Sequence, residues 1–301
     1  MSALAALAPL KILMIGNSFS ISVLSYGPQV AHRLDTGMDI CSLYIGGCSL
    51  ARHAGNIRQA GVDPDFAPYA VRWSYDSLET GAEPPFAGVL KPDGKGVPHR
   101  MANVPQMLAA DKWDVVTIQQ ASHESWNPAT YEPFAGEVIA TVRKYAPQAK
   151  IVIQQTWSYC DADGRIRDSA SGGPGSWGFD QAGMFERLAE NYGALARKYG
   201  FEIIPTGRAV QLYRESLPVR DVADDVVGNV RSENGAWKGD TIHLNKDGEY
   251  LQACVWVAKL LGADVAKLDW APESAMRHPE NAALIRRCAA AAVAELAPGG
   301  K

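Results

Sequence analysis

Five short apolar runs recur along the chain: Ile12–Ile15, Ile40–Ile45, Val115–Ile118, Ile151–Ile153 and Phe201–Ile204, each flanked by turn residues. Runs of this length read as strands buried on both faces of a sheet. Between and after them, segments with apolar residues at helical spacing cover Ile21–Leu34, Val104–Ala110, Tyr131–Tyr145, Gln181–Tyr199 and Lys246–Leu261. Pro147 follows the third of these, Gly200 the fourth, and Asn245 stands where it would cap the fifth. Strands alternating with helices predict an α/β fold, a three-layer α/β/α sandwich around a central parallel five-stranded sheet.

Residues 52–103 break the rhythm. The stretch is rich in Pro and Gly and holds only short apolar pieces, so it reads as an insertion of loops with one hairpin around "YAVRWSYDSL". A Gly-rich loop, "SASGGPGSWG" at 169–178, follows the fourth strand. The Ala-rich tail predicts a C-terminal helix at about 278–297. With no internal repeat and no linker, residues 1–301 read as a single domain.

With 47% hydrophobic residues, the chain has enough apolar material for one large core or two small ones. A net charge of −4 without runs of like charge argues against nucleic acid and anionic membranes as partners, and favours a small neutral or cationic molecule. No apolar stretch approaches the roughly 20 residues of a membrane span. The five cysteines form no C-x-x-C pair and read as buried free thiols of a reducing compartment. "MSALAALAPLK" lacks the basic start of a signal peptide. The expected location is cytoplasmic, or secreted or periplasmic after removal of a signal. The oligomeric state is open.

Ligands of open α/β sheets bind outside the carboxyl ends of the strands. Gly16-Asn17-Ser18 follows the first strand, Gly46-Gly47-Cys48 the second and Gln119-Gln120-Ala121-Ser122-His123 the third, while Asp240 and His243 precede the last sheet-covering helix. A serine nucleophile needs a base within hydrogen-bond reach and an acid orienting that base. Ser18, His243 and Asp240 supply the three types, with Asp240 close enough in sequence to bond the imidazole. An oxyanion hole needs donors aimed at the developing charge. The N–H groups of Ser18 and Gly47 and a side chain from Gln119, Gln120 or His123 are the candidates.

These segments together resemble the block I, II and V signatures of the SGNH, or GDSL-like, hydrolases, and within them the DUF4886-type branch. Ile15–Phe19, Tyr44–Leu50, Gln119–His123, Gln155–Tyr159 and Asp240–Leu244 match that branch's pattern in order. The resemblance implies a flavodoxin-like fold and ester hydrolysis with Ser18 as nucleophile, His243 as base and Asp240 as its partner. It also implies O-acyl carbohydrate substrates. One departure stands out: the superfamily's G-x-N-D block is replaced by "QQASHES". Gln119, which the branch pattern retains, is the first choice for the third donor, followed by His123 and then Gln120.

Asn17, Trp157 and Tyr159 are candidate pocket residues, Asn17 also as a residue that helps hold its turn, and the two aromatics as a wall that stacks on a sugar ring. No cofactor is expected, and "HESWN" lacks the partners of a metal site. His32, His53, His99 and His278 read as surface or structural residues. The G-x-S-x-G elbow, the P-loop, G-x-G-x-x-G and H-E-x-x-H are all absent. The expected activity is that of a serine esterase removing a small acyl group, acetyl first, from a carbohydrate or related small molecule. The alternatives are a non-catalytic carbohydrate-binding or scaffold protein, or a lipase, thioesterase or acyltransferase.

Overall fold

Ile12, Leu13, Met14 and Ile15 are almost fully buried in β1 (Leu10–Gly16), as an apolar run covered on both faces requires. The computed structural model describes residues 8–75, 89–92, 98–167, 175–217, 222–234 and 236–296. The expected hairpin's Asp76-Ser77-Leu78, the start of the Gly-rich loop, the His99 side chain and the first seven residues lie outside the described residues. The chain forms two compact units, one of Met1–Glu124 with Pro128–Gln154 and one of Ser125–Asn127 with Gln155–Lys301.

The first unit continues with α1 (Ser18–Ile21), α2 (Gly27–His32), β2 (Met38–Tyr44), α3 (Leu50–Val62), β3 (Tyr69–Tyr75), β4 (Val89–Pro92), β5 (Pro98–Ala102), α4 (Val104–Ala110), β6 (Val115–Ile118), α5 (Phe134–Tyr145) and β7 (Lys150–Gln154). Its seven strands make one mixed sheet in the order β4-β5-β3-β2-β1-β6-β7. The strands β2, β1, β6 and β7 run parallel. β3 is antiparallel to β2, β5 to β3 and β4 to β5. Helices α3, α4 and α5 pack on one another beside the sheet.

The expectation of a five-stranded, all-parallel sheet is therefore corrected. Four of the expected strands are parallel here, and the 52–103 stretch adds three antiparallel strands where loops and one hairpin were expected. Leu50–Val62 is the helix α3 where the insertion predicts loop from residue 52. Its buried face consists of Leu50, His53, Ala54 and Ala60, too small and polar to register as an apolar stripe. Ser49 caps it by accepting from the Arg52 N–H. The expected helix Ile21–Leu34 breaks into a 3₁₀ turn at Ser22–Ser25 and α2, because Pro28 has no N–H to continue the first and fits the first turn of the second.

The second unit holds α6 (Gly164–Arg167), α7 (Gln181–Tyr199), β8 (Glu202–Ile204), α8 (Thr206–Ser216), β9 (Val227–Glu233), β10 (Ala236–Leu244), α9 (Lys246–Leu261) and α10 (Ala282–Glu295). Asp180 caps α7 and Gly200 closes it with φ 71°. Asn245 caps α9 by accepting from the Asp247 and Gly248 N–H groups. α8, α9 and α10 pack on one another, and α9 is buried from Tyr250 through Val257. β9 and β10 form an antiparallel pair that no apolar run announced.

Candidate active site

β1 lies between β2 and β6, so the chain leaves β1 toward one neighbour and returns later on its other side. That is the switch point at which an open α/β sheet leaves a crevice at its carboxyl ends. The turns after β1, β2 and β6 meet there through Asn17, which is 1% exposed. Asn17 Oδ1 accepts from the Phe19 N–H at 3.0 Å and from Gln119 Nε2 at 2.8 Å, while its Nδ2 donates to the Cys48 carbonyl at 3.1 Å. One side chain thus caps α1 and ties three turns together. Ser18, half-buried, is the first residue of α1.

Gly16 is needed for this turn. A Cβ there would lie 2.5 Å from Ser20 Oγ, which is itself bonded to the Asn17 carbonyl, and 3.2 Å from the Gln119 amide carbon. Gly47 adopts φ 59°, the left-handed region, in the turn that Cys48 closes by donating to the Ile45 carbonyl. Beneath it, buried His53 contacts Cys48 Sγ at 3.6 Å and Tyr69 Oη at 2.9 Å. Burial, with help from Arg52, pushes the His53 pKa down to about 3, so the ring is neutral and structural.

The candidate third donors differ in placement. Gln120 Oε1 accepts from Leu50 and Ala121, and its Nε2 donates to the Thr130 carbonyl and hydroxyl. Both amide hydrogens are engaged, so Gln120 clamps the loop that follows β6. Gln119 is 2% exposed and directs its amide at Asn17, which makes it a support of the Ser18 turn. His123 is exposed, and its Cε1 lies 3.8 Å from where a Cβ on Gly47 would stand.

In the second unit, His243 Nδ1 is 2.7 Å from Asp240 Oδ2. Asp240 Oδ1 accepts from the backbone N–H groups of Ile242 at 2.8 Å and His243 at 3.0 Å. Partial burial raises the Asp240 carboxyl, but those two N–H groups and the imidazole outweigh it and hold its pKa below the ordinary aspartate value. The carboxylate therefore stays ionised and fixes Nδ1 as the ring's inner nitrogen.

Trp157 is fully buried, and its indole N–H donates to the Ile242 carbonyl at 2.9 Å. Tyr159 is 1% exposed, with the Arg165 guanidinium 4.5 Å from its ring centre and Trp177 tilted against it at 5.5 Å. Neither ring offers a bare face, which corrects their reading as a sugar-stacking wall. Asn17, expected in the pocket and as a holder of its turn, is a buried brace of that turn. The "QTWSY" segment supports the turn that carries His243, through the Trp157 indole. Sequence reasoning also missed Asp163, which accepts from the Thr241 hydroxyl at 2.6 Å. An isolated aspartate in a loop carries no pattern that would single it out.

All five cysteines are free and buried. Among the described residues, no cluster of three or more His, Cys, Asp or Glu side chains is placed to hold a metal ion, and no helix is long and apolar enough to cross a membrane.

A family model described as a domain of unknown function (DUF4886) matches residues 89–292. Among solved structures, a DUF4886 family protein from Bacteroides uniformis is similar over 95% of each chain, at 25% identity and a TM-score of 0.73. A lipopolysaccharide acetyltransferase periplasmic domain from Salmonella ser. Paratyphi A is similar over 84% of each chain, at 13% identity and a TM-score of 0.43. A carbohydrate acetylesterase from Sinorhizobium meliloti follows at 12% identity and a TM-score of 0.41, covering 84% of this chain and 98% of its own. No curated protein matches the chain.

Proposed function

The chain belongs to the DUF4886 family, and on that premise we propose that it is a serine esterase that removes a small acyl group, acetyl first, from a carbohydrate or related small molecule. The reading treats residues 1–301 as one SGNH hydrolase-like domain. The observation that carries it is the Asp240–His243 pair at 2.7 Å. With Nδ1 held by the carboxylate, Nε2 is the nitrogen that exchanges protons with a serine hydroxyl.

In this reading Ser18 Oγ attacks the ester carbonyl carbon as its proton passes to His243 Nε2. The tetrahedral intermediate collapses to an acyl-Ser18 ester, and the alcohol leaves with that proton. Water then attacks the acyl group, giving its proton to His243, which returns it to Ser18 Oγ as the carboxylic acid departs. The N–H groups of Ser18 and Gly47 stabilise the oxyanion. We assign the third donor to His123, because Gln120 has no amide hydrogen to spare and Gln119 is buried against Asn17.

Hydrolysis of p-nitrophenyl acetate by the wild-type protein and by Ser18→Ala tests the reading. A loss of about 10³-fold or more in kcat is expected for the variant. Equal rates in the two proteins would reject Ser18 as nucleophile. Absence of hydrolysis across acetylated sugars, together with measurable sugar binding, would favour the binding-protein reading.

A further inference from the structure

Residues 241–243, which link Asp240 to the proposed base, do not belong to a regular ladder. Asp240 pairs with Asn229 and Leu244 with Val227, so three residues of β10 oppose Gly228 alone. A bulge of this kind loses the ladder bonds that would hold it and turns its side chains in a new direction. Something else has to keep His243 in place.

Three bonds from a single neighbouring segment do so. Trp157 Nε1 donates to the Ile242 carbonyl at 2.9 Å, the Cys160 N–H donates to the Thr241 carbonyl at 3.0 Å, and Thr241 Oγ1 donates to Asp163 Oδ2 at 2.6 Å. The last is the only one of the three made by a charged group. The Asp163 side chain is 5% exposed. It also accepts from Arg165 through the backbone N–H, Nε and Nη2 at 3.0, 2.8 and 2.6 Å. Arg165 in turn lies over the rings of Tyr159 and Trp177, 4.5 and 5.1 Å from their centres.

We propose that Asp163 is a positioning residue for the base: through the Thr241 hydroxyl it fastens the Asp240–His243 bulge to the Arg165–Tyr159–Trp177 cluster. The inference rests on the esterase reading for its catalytic consequence, though its geometric half does not. Asp163 touches no reacting atom. It acts by removing freedom from a segment that the β-ladder leaves loose, and a base displaced by about 1 Å can cost 10²-fold in rate. A charge-assisted, buried hydrogen bond is the strong kind for such a task.

Thr241→Val is the decisive variant, because it keeps the shape of the side chain and removes only the hydroxyl. Proton NMR of the full-length protein in water reads the His243 Nδ1–H···Asp240 bond as a far-downfield resonance, assigned by its loss in His243→Gln. Thr241→Val is expected to broaden or shift that resonance and to lower kcat roughly 10-fold with KM little changed. Thr241→Ser should restore both. Asp163→Ala should give the same loss, and the Asp163→Ala/Thr241→Val double variant no further loss, since the two share one interaction.

A Thr241→Val protein that keeps both the resonance and kcat overturns the proposal. So does one in which the loss appears but Thr241→Ser does not restore it. Should the wild type show no Ser18-dependent hydrolysis, the esterase reading fails separately, and the resonance in Thr241→Val alone upholds or rejects the positioning of His243.

Discussion

Gln119 Nε2 donates to Asn17 Oδ1 at 2.8 Å across 102 positions of sequence. The bond joins the end of β6 to the turn after β1, and the same asparagine reaches the β2 turn through the Cys48 carbonyl. Since Asn17 also caps α1, whose first residue is Ser18, the placement of that serine depends on a side chain at the end of β6, beyond the four intervening strands β2 to β5.

Asn17→Ala is expected to cost about 2–3 kcal/mol, the sum of a lost cap and a buried amide left without its acceptor. Asn17→Asp keeps an acceptor for Gln119 and Phe19 but sets a carboxylate against the Cys48 carbonyl, so it should disturb the Gly47 turn more than the Ser18 turn. Urea denaturation gives the stabilities. Esterase kinetics would then show a fall in kcat for both variants.

Removal of the His123 ring tests the third oxyanion donor. His123→Ala should lower kcat by about 10²-fold, the usual effect of one lost donor, while leaving stability within about 0.5 kcal/mol because the side chain is exposed. An unchanged kcat would return the role to Gln119.

Asp240 makes stability depend on acid. Its folded-state pKa is depressed, so its contribution is fully present above the ordinary aspartate value of about 3.9 and is lost as pH falls through the lower folded value. Wild type should therefore exceed Asp240→Asn in denaturation midpoint at neutral pH, with the gap closing below about pH 4. At neutral pH Asp240→Asn should also lose less activity than Ser18→Ala, because the carboxylate orients the base without taking the proton.

Arg214 and Asp225 form a buried ion pair, with side chains 1% and 5% exposed and Nη2 to Oδ2 at 2.8 Å. Arg214 also donates to the Ser158 hydroxyl and to the Ser158 and Tyr159 carbonyls. Arg214→Met should destabilise by about 3–5 kcal/mol, since it strands a buried carboxylate. Pairing it with Asp225→Asn should recover part of the loss in the same urea titration.

Much of the framework was legible because burial leaves a periodic trace. Val115–Ile118, Val104–Ala110, Gln181–Tyr199 and Lys246–Leu261 match the observed elements end to end. Apolar spacing and end residues such as Gly200 and Asn245 are local signals that a chain carries wherever it folds. The Asp240–His243 pair belongs to the same class, being three residues apart. Partners distant in sequence leave no such trace. Only the tertiary structure decided that 52–103 extends the sheet with antiparallel strands, that Gln119 and Asn17 brace each other, and that Trp157 supports the His243 turn from inside. A strand pattern reports which faces are buried and not which neighbour buries them. An amide or indole at a strand end reads the same whether it lines a pocket or satisfies a carbonyl far along the chain.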